Sequence, residues 1–371
     1  MLKTVTDFSA GRRLVAILNS RQSKRPCGSD DWVKATTRAV EMLLSEGVVF
    51  LTSTGLSTWE LAVHLVNTRG GSQVIVFDPG IDPDTIVKSF QLDRSRCSLV
   101  QSGPTAERDS TSTAHYRDEA IAWLADQLIP ISVRSGGFLE EVIKKSCCAG
   151  KAVDTRFRVP YCAGFDRPDY DFQSQRLNSA LDGEHWTLLT HWTRSHHGPL
   201  PEETAFEFYH DLLTRERYPR SALDILLMIL RSGRIRGSSR FIRGGFPVVS
   251  LTARTPQEAV QLMRWRRRYT YYNFEPYGIA IGRGATQALS CRPAIYGSDE
   301  LYERLAPSER PFFQKAGSTV ADWTPEAEWR VIGELRLTEL PPEEVRVIVY
   351  RQQEIAAIED TCAFRVDAMT I

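Results

Sequence analysis

The chain has 371 residues, of which 42% are hydrophobic and 25% are charged, and its formal net charge at pH 7 is zero. This length is typical of about two domains, and the absence of net charge excludes nucleic-acid binding through a global basic field. The seven cysteines are scattered without CxxC spacing, which argues against zinc or a disulfide framework and favours a cytoplasmic location, with no metal expected. No apolar run approaches the roughly 18 residues of a membrane span, and no export signal is evident.

Strand-like apolar runs alternate with helix-like periodic runs through about residue 150. Strands are predicted at 14–18, 48–52, 73–77, 98–101 and 129–133, and helices at 30–45, 59–68 and 118–128. This alternation is typical of βαβ units, whose right-handed crossovers build a buried parallel sheet. We therefore expect residues 1–150 to form an α/β domain with a Rossmann-like parallel sheet.

Small polar residues follow these predicted strands where each one ends. The carboxyl edge of an open parallel sheet is where ligands bind, and the backbone N–H groups at a helix N-terminus favour an anion. The sequence therefore predicts that this edge holds a small nucleotide ligand. The predicted contacts are Ser20, Arg21, Ser53, Thr54, Gly55, Ser135, Gly136 and Gly137.

The order of elements over residues 10–150 resembles the Rossmann-like SLOG superfamily, which includes the DprA and LOG families. The resemblance rests on Asn19-Ser20-Arg21, Ser53-Thr54-Gly55, Asp78-Pro79-Gly80 and the segment 134–141. It implies nucleotide binding. The LOG phosphoribohydrolases carry a PGGxGTxxE motif, but here a serine replaces the proline and the second Gly-Thr is missing. Cleavage of a nucleotide at Gly136-Gly137 and Glu140 is therefore kept only as an alternative.

The composition becomes polar, aromatic and proline-containing between residues 151 and 184, which predicts an ordered linker. The following part, 185–371, is predicted to be an α+β domain rich in strands. Its strands are predicted at 186–192, 246–252, 277–282, 294–296, 329–337 and 345–350, and its helices at 202–213 and 222–231. Alternating polarity in the last strands favours an antiparallel, half-exposed sheet.

Three polar features of this second part are candidates for one site. His191 lies near the end of a strand, Ser250 and Thr252 project to the same side of another by the two-residue period, and Glu326 and Glu328 precede a third. Each feature also has a structural explanation, since histidine on an apolar strand is often buried and bonded, and Ser and Thr suit strands. Only their combination indicates chemistry.

A His, a Ser/Thr strand and a Glu in this chain order resemble the layout of ADP-ribosyltransferase-like domains. The segments His191-Trp192-Thr193 and 225–235 are similar to DarT-like DNA-modifying members, and 275–280, 292–297 and 326–330 to domains of bacterial abortive-infection loci. The resemblance implies a domain with a split, mainly antiparallel sheet. It also implies that the domain binds NAD as its substrate in the groove of this sheet and cleaves the nicotinamide–ribose bond.

The resemblance also implies roles for the candidate residues. His191 would bind a ribose hydroxyl, Ser250 and Thr252 would shape the nicotinamide pocket, and Glu328 would stabilise an oxocarbenium-like ribose. Glu326 would orient an acceptor. Arg254 is one of three arginines, with Arg264 and Arg283, considered for neutralising the diphosphate, and no order among them follows from the sequence.

One segment is locally basic and aromatic, which favours contact with a nucleic acid, although its arginines would equally suit bonds to acids of the same domain. It contains Arg264, Arg266, Arg267 and Arg268.

We expect a nucleotide-binding sensor fused to an effector that cleaves NAD or transfers ADP-ribose, in anti-phage defence and without a membrane partner; a homo-oligomer fits this expectation. The alternatives are a non-catalytic DprA-like protein that binds single-stranded nucleic acid, and a nucleotide N-glycosidase.

Overall fold

The computed structural model describes residues 2–103, 110–162, 167–172, 177–181, 186–267, 270–316 and 324–370. The chain forms two compact units. Unit 1 comprises Met1–Asp166 and His197–Pro219, and unit 2 comprises Arg167–His196 and Arg220–Ile371. The segment His197–Pro219, which follows the first strand of unit 2 along the chain, therefore packs within unit 1.

Unit 1 is built on a six-stranded parallel sheet with the order β4-β3-β2-β1-β5-β6. Its strands are β1 Leu14–Leu18, β2 Val49–Ser53, β3 Ser72–Phe77, β4 Cys97–Gln101, β5 Gln127–Pro130 and β6 Ala152–Val153. Its helices are α1 Leu2–Ser9, α2 Asp31–Ser45, α3 Ser57–Thr68, α4 Pro83–Phe90, α5 Ser110–Leu124, α6 Phe138–Cys148 and, from the returning segment, α7 Ala205–Thr214. The predicted α/β architecture is confirmed.

Strand β1 shows why this sheet lies at the centre of unit 1. All five of its residues are buried, and alternate side chains enter two different apolar clusters, with Val15 and Ile17 in one and Leu14, Ala16 and Leu18 in the other. A strand covered on both faces must be apolar throughout. Because β1 lies between β2 and β5, the strand order reverses there, and the loops after β1 and β5 meet at the carboxyl edge, where the Ser20 N–H donates to the Ser132 carbonyl at 2.9 Å.

Unit 2 contains a seven-stranded sheet with the order β13-β16-β9-β7-β12-β18-β19, antiparallel except for the β18–β19 pair. Its strands are β7 Leu188–Trp192, β9 Val248–Thr252, β12 Gly278–Gly282, β13 Arg292–Pro293, β16 Glu328–Ile332, β18 Val345–Arg351 and β19 Arg365–Thr370. Short pairs join β8 Arg234–Ile235 with β17 Leu335–Arg336, β10 Trp265–Arg266 with β11 Tyr271–Tyr272, and β14 Ile295–Gly297 with β15 Phe313–Lys315. The helices are α8 Ala222–Ser232, α9 Pro256–Val260, α10 Arg283–Ala288, α11 Asp299–Arg304 and α12 Ile355–Glu359.

The sheet of unit 2 opens between β7 and β9. These two strands share a single registered pair, Thr190 with Thr252, whereas β7 shares five with β12 and β9 shares five with β16. Strands that separate in this way leave space between them that a continuous ladder would fill. The mainly antiparallel, split sheet expected for this part of the chain is confirmed.

Several boundaries differ from the sequence expectation. The helix predicted at 118–128 ends at Leu124, and β5 takes Leu128, because pairing with β1 buries that residue in the sheet. The strand predicted at 329–337 is interrupted at Gly333, whose φ of +82° ends β16 before β17 begins in another pair. Helix α4 was not predicted, although Asp82 caps it and Pro83 opens it.

Candidate active site

A pocket in unit 2 is lined by residues of β7, β9 and β16, the strands around the opening of the sheet. Its cavity volume is about 130 Å³, which is below the roughly 300–1,000 Å³ of sites that enclose a drug-sized ligand. The pocket can therefore enclose a ring-sized group, and a larger ligand would extend outside it. Its lining includes His191, Ser250, Thr252, Glu326 and Glu328.

Glu328, at the start of β16, is held by three groups. The Ser250 hydroxyl donates to its Oε1 at 2.6 Å, Arg330 Nε donates to the same oxygen at 2.9 Å, and Arg330 Nη2 donates to Oε2 at 2.9 Å. Its backbone N–H donates to the Tyr296 hydroxyl at 3.0 Å. The carboxylate is thus 9% exposed but fully oriented, since a bidentate arginine fixes the plane of a carboxylate.

Arg330 is completely buried, which is rare for an arginine. Besides Glu328, its guanidinium donates from Nη1 to the carbonyls of Pro311 at 2.9 Å and Phe313 at 2.7 Å, and from Nη2 to the Gln314 amide oxygen. All five guanidinium N–H groups therefore have acceptors. The pair tolerates burial because neither partner lacks hydrogen bonds.

The side chain of His191 on β7 forms a hydrogen bond to the backbone of β9. Its Nδ1 lies 2.9 Å from the Ser250 carbonyl oxygen, and a carbonyl can only accept, so Nδ1 carries the proton. Burial lowers the pKa of His191 below its usual value, and nearby Arg194 lowers it further. The ring is therefore neutral near pH 7, with Nε2 available as an acceptor; within the described ranges Nε2 has no hydrogen-bond partner.

Glu326 lies in a 3-10 turn, Thr324–Glu326, before the strand as expected, whereas Glu328 is the first residue of β16. Between them Ala327 has a φ of +46°, and this left-handed residue lets both carboxylates line the pocket. Burial and the neighbouring Glu328 raise the pKa of Glu326 to about 8. Asn273 Nδ2 donates to Glu326 Oε1 at 3.4 Å. Glu326 is therefore largely protonated at pH 7.

Thr252 and Arg254 have mainly local partners. The Thr252 hydroxyl donates to the Glu326 carbonyl and accepts from the Arg254 N–H at 3.0 Å, so it fixes the turn that carries Glu326. The Arg254 side chain bonds the Pro325 carbonyl and Glu258. Among the described residues the pocket lining does not include Arg254 but does include Arg194 and Arg240. Arg194 is not among the residues selected from the sequence. Its position two residues after the apolar strand β7 is the signal that could have identified it.

The basic segment of the sequence forms part of the β10–β11 hairpin. Arg264 Nε donates to the Gln261 carbonyl at 2.6 Å, and Arg266 Nε donates to Asn273 Oδ1 at 2.8 Å. Arg267 is exposed, and Arg268 lies outside the described residues. Arg266 therefore supports the Asn273 contact to Glu326, and its role in nucleic-acid binding stays a prediction.

The loops at the carboxyl edge of unit 1 bond largely to themselves. The Gly55 N–H donates to Glu60 Oε1 at 2.9 Å, and the Gly136 N–H donates to Glu140 Oε2 at 3.1 Å. The Ser53 hydroxyl donates to the Val76 carbonyl at 2.6 Å. In both glycine loops a carboxylate of the chain therefore occupies the N–H group that was expected to meet an anion.

The remaining predicted residues of unit 1 are placed as follows. The Ser20 hydroxyl accepts from the Arg134 N–H at 2.9 Å, and the Thr54 carbonyl accepts from buried Arg117 at 3.1 Å. Arg21 and Ser135 are exposed, and Gly137 is the N-cap of α6. The structure thus joins the β1 and β5 loops through Ser20.

Comparison with models of protein families and with curated proteins found no match. The N-terminal portion is similar to solved structures. These are DNA processing protein A (DprA) from Streptococcus pneumoniae (18% identity, 38% of this chain and 49% of that chain, TM-score 0.31), DprA from Helicobacter pylori, whose structure describes a single-stranded DNA binding mode (11%, 40% and 66%, 0.32), and the molybdenum cofactor carrier protein from Chlamydomonas reinhardtii (12%, 38% and 74%, 0.28). The chain thus spans about half of the Streptococcus protein and about two thirds of the Helicobacter protein. None of the described helices has the length and apolarity needed to cross a membrane.

Proposed function

We propose that unit 2 breaks the bond between nicotinamide and ribose in NAD and passes the ADP-ribosyl group to water or to another acceptor. The observation that carries the proposal is the Ser250–Glu328 hydrogen bond of 2.6 Å at the opening of the sheet, beside the His191 ring and in a pocket of ring size. The elements hold these groups together although they are far apart in sequence.

The proposed reaction balances with the groups present. The C1′–N bond breaks and its electron pair goes to the nicotinamide ring nitrogen, which leaves positive charge on the ribose. The Glu328 carboxylate, oriented by Ser250 and Arg330, stabilises that charge. A water oxygen then attacks C1′, and its proton goes to the ionised form of Glu326. The neutral His191 Nε2 accepts from a ribose hydroxyl and orients the sugar.

The raised pKa of Glu326 gives the proposal a pH signature. A base with a pKa of about 8 is mostly protonated at pH 7 and ionises as the pH rises. We therefore expect kcat/KM for NAD to increase about tenfold from pH 7 to pH 9, and to lose this increase in Glu326→Gln.

The direct test is release of nicotinamide from NAD by the full-length protein, measured by chromatography with and without added nucleotides. Glu328→Gln is expected to lower the rate by at least about 10²-fold, the cost of one electrostatic stabiliser. Glu343→Gln, an exposed glutamate outside the pocket lining, is the matched control and should keep the rate. Unchanged turnover in folded Glu328→Gln would remove Glu328 from the mechanism, and absence of release by the unmodified protein would remove the proposal.

The proposal for unit 1 is that it binds a small nucleotide and controls unit 2 in a defence response. Its support is that the loops after β1 and β5 meet where the strand order reverses, which is where open α/β sheets bind ligands. Stimulation of nicotinamide release by an added nucleotide, lost on Ser20→Ala with Ser146→Ala as control, would support it. Equal rates with and without each of the common nucleotides would contradict it.

A further inference from the structure

Two arginines of the pocket lining lie against one aromatic ring. The guanidinium carbon of Arg194 is 5.3 Å from the centre of the Tyr271 ring, and that of Arg240 is 5.7 Å from the same centre. Both side chains are exposed. Two positive charges are thus held within about 11 Å of each other, by contacts to a shared ring, in a position open to a ligand.

Neither arginine has an ion-pair partner within the parts of the chain that the structure describes. Two arginines nearby in the sequence do form ion pairs: Arg243 pairs with Asp299 and Glu303, and Arg254 pairs with Glu258. A guanidinium presents N–H groups in a planar fork that fits phosphate oxygens. Arg194 acts electrostatically on Glu326 of the same pocket, but neither guanidinium is neutralised by an ion pair within the described ranges. Two such groups favour an anion with more than one charge.

The neighbouring residue Phe241 has an unusual conformation. Its φ is +65°, which a residue with a bulky side chain rarely adopts, and the residue is 54% exposed while it lines the same pocket. The Arg240 guanidinium lies 4.9 Å from that ring. Strain and exposure of an aromatic ring both cost free energy, and they cluster where a ligand is bound. An exposed ring beside arginines is a surface on which a base can stack.

Two residues of the pocket lining carry buried polar atoms that lack hydrogen-bond partners. Thr190 Oγ1 and Trp192 Nε1 have no hydrogen-bond partner among the described residues, although the two residues are 1% and 5% exposed. Both residues line the pocket. The ring-sized cavity and the exposed arginines of its lining together match a ligand with a small ring at one end and an anionic group beyond it.

We propose that Arg194 and Arg240 bind the diphosphate of a dinucleotide and that Phe241 stacks on its second base, outside the cavity that encloses the first ring. This inference rests on the proposed function only for the identity of the enclosed ring. The chemical class of the ligand is a nucleoside diphosphate ester, which the clamp recognises without any bond being cleaved.

Binding of ADP-ribose, which has no nicotinamide to release, separates this inference from the proposed function. Titration calorimetry with the full chain should show that ADP-ribose binds. The double variant Arg194→Ala/Arg240→Ala should weaken this binding at least about 30-fold, and its remaining affinity should depend less on salt than that of the unmodified protein. Phe241→Ala should weaken it about 3–10-fold, and Phe241→Tyr should restore it. Arg231→Ala, an exposed arginine outside the pocket lining, is the control and should bind normally. Melting temperatures of all variants are measured alongside.

The outcomes distinguish the two ideas. Arginine-dependent binding of ADP-ribose without any release of nicotinamide would support the clamp and contradict the proposed function. Binding of ADP-ribose by the folded double variant as tightly as by the unmodified protein would overturn the clamp. Arginine-dependent binding of an oligothymidylate but not of ADP-ribose would also overturn it, and would assign these residues to nucleic acid.

Discussion

The carboxyl edge of the parallel sheet and the pocket of the antiparallel sheet treat their polar groups differently. In unit 1 the N–H groups of Gly55 and Gly136 are bound by carboxylates of the same chain. In unit 2 Arg194 and Arg240, which form no ion pair among the described residues, line a cavity together with Thr190 and Trp192, whose buried polar atoms have no hydrogen-bond partner there. A buried polar group without a bond costs free energy, and by this measure the edge of unit 1 is not fully closed either, since the buried Thr54 Oγ1 also has no partner among the described residues. The difference between the units therefore concerns their backbone N–H groups and arginines.

The largest expected effect concerns one buried arginine in each unit, Arg330 and Arg117. Arg330→Met leaves Glu328 buried without its cation and should lower the free energy of unfolding by about 3–5 kcal/mol. Arg117→Met in unit 1 should cost less, because its partners Asp78 and Asp118 are 26% and 15% exposed, against 10% for Glu328, so that water can solvate them better. Urea unfolding of both variants measures the difference. Equal losses would show that the two buried charges are held alike.

The next prediction tests the closed loop of unit 1. Glu60→Ala leaves the Gly55 N–H and the buried Tyr209 hydroxyl, 2.8 Å from Glu60 Oε2, without an acceptor, so stability should fall by about 1–3 kcal/mol. Glu60→Gln keeps an acceptor and should cost less. We expect inorganic phosphate to leave the melting temperature of Glu60→Ala unchanged. A phosphate-dependent rise would mean that the carboxylate masks an anion site, and the contrast between the units would fail.

A smaller effect follows from the raised pKa of Glu326. The folded protein holds this proton up to about pH 8, whereas the unfolded chain releases it near 4.5, so stability is lost as the pH rises between these values. Glu326→Gln removes the loss. Its melting temperature should match that of the unmodified protein at pH 4 and exceed it by about 2–5 °C at pH 9, after allowance for partial exposure of the side chain. A difference that does not change with pH would contradict the burial of this carboxyl.

The smallest expected effect is at Ala327. Its φ of +46° is strained for alanine, and glycine relieves that strain while losing more chain entropy on folding. Ala327→Gly should therefore raise stability by no more than about 1 kcal/mol, and Ala327→Val should lower it. Urea unfolding of both variants checks the sign, and a destabilising glycine would show that the turn carrying Glu326 is unstrained.

The pocket shows which side chains could be named from the sequence and which could not. His191, Ser250, Thr252, Glu326 and Glu328 could be chosen from residue type and strand position, and they line one pocket. The partners that orient them could not be chosen. Arg330 was read as part of a strand, and its fully bonded, buried guanidinium depends on carbonyls of Pro311 and Phe313, which no local pattern connects to it.

The sequence by itself determined the class of the elements with a clear pattern, because a strand such as Leu14–Leu18 needs apolar residues throughout and a helix needs its own period. Tertiary structure alone decided which strands meet and where they part. The single pair of Thr190 with Thr252 and the pairing of Leu128 in β5 with Ala16 in β1 join residues that are distant along the chain. Such contacts are set by the burial of whole faces and the closure of hydrogen bonds across the sheet, and these are properties of the assembled unit.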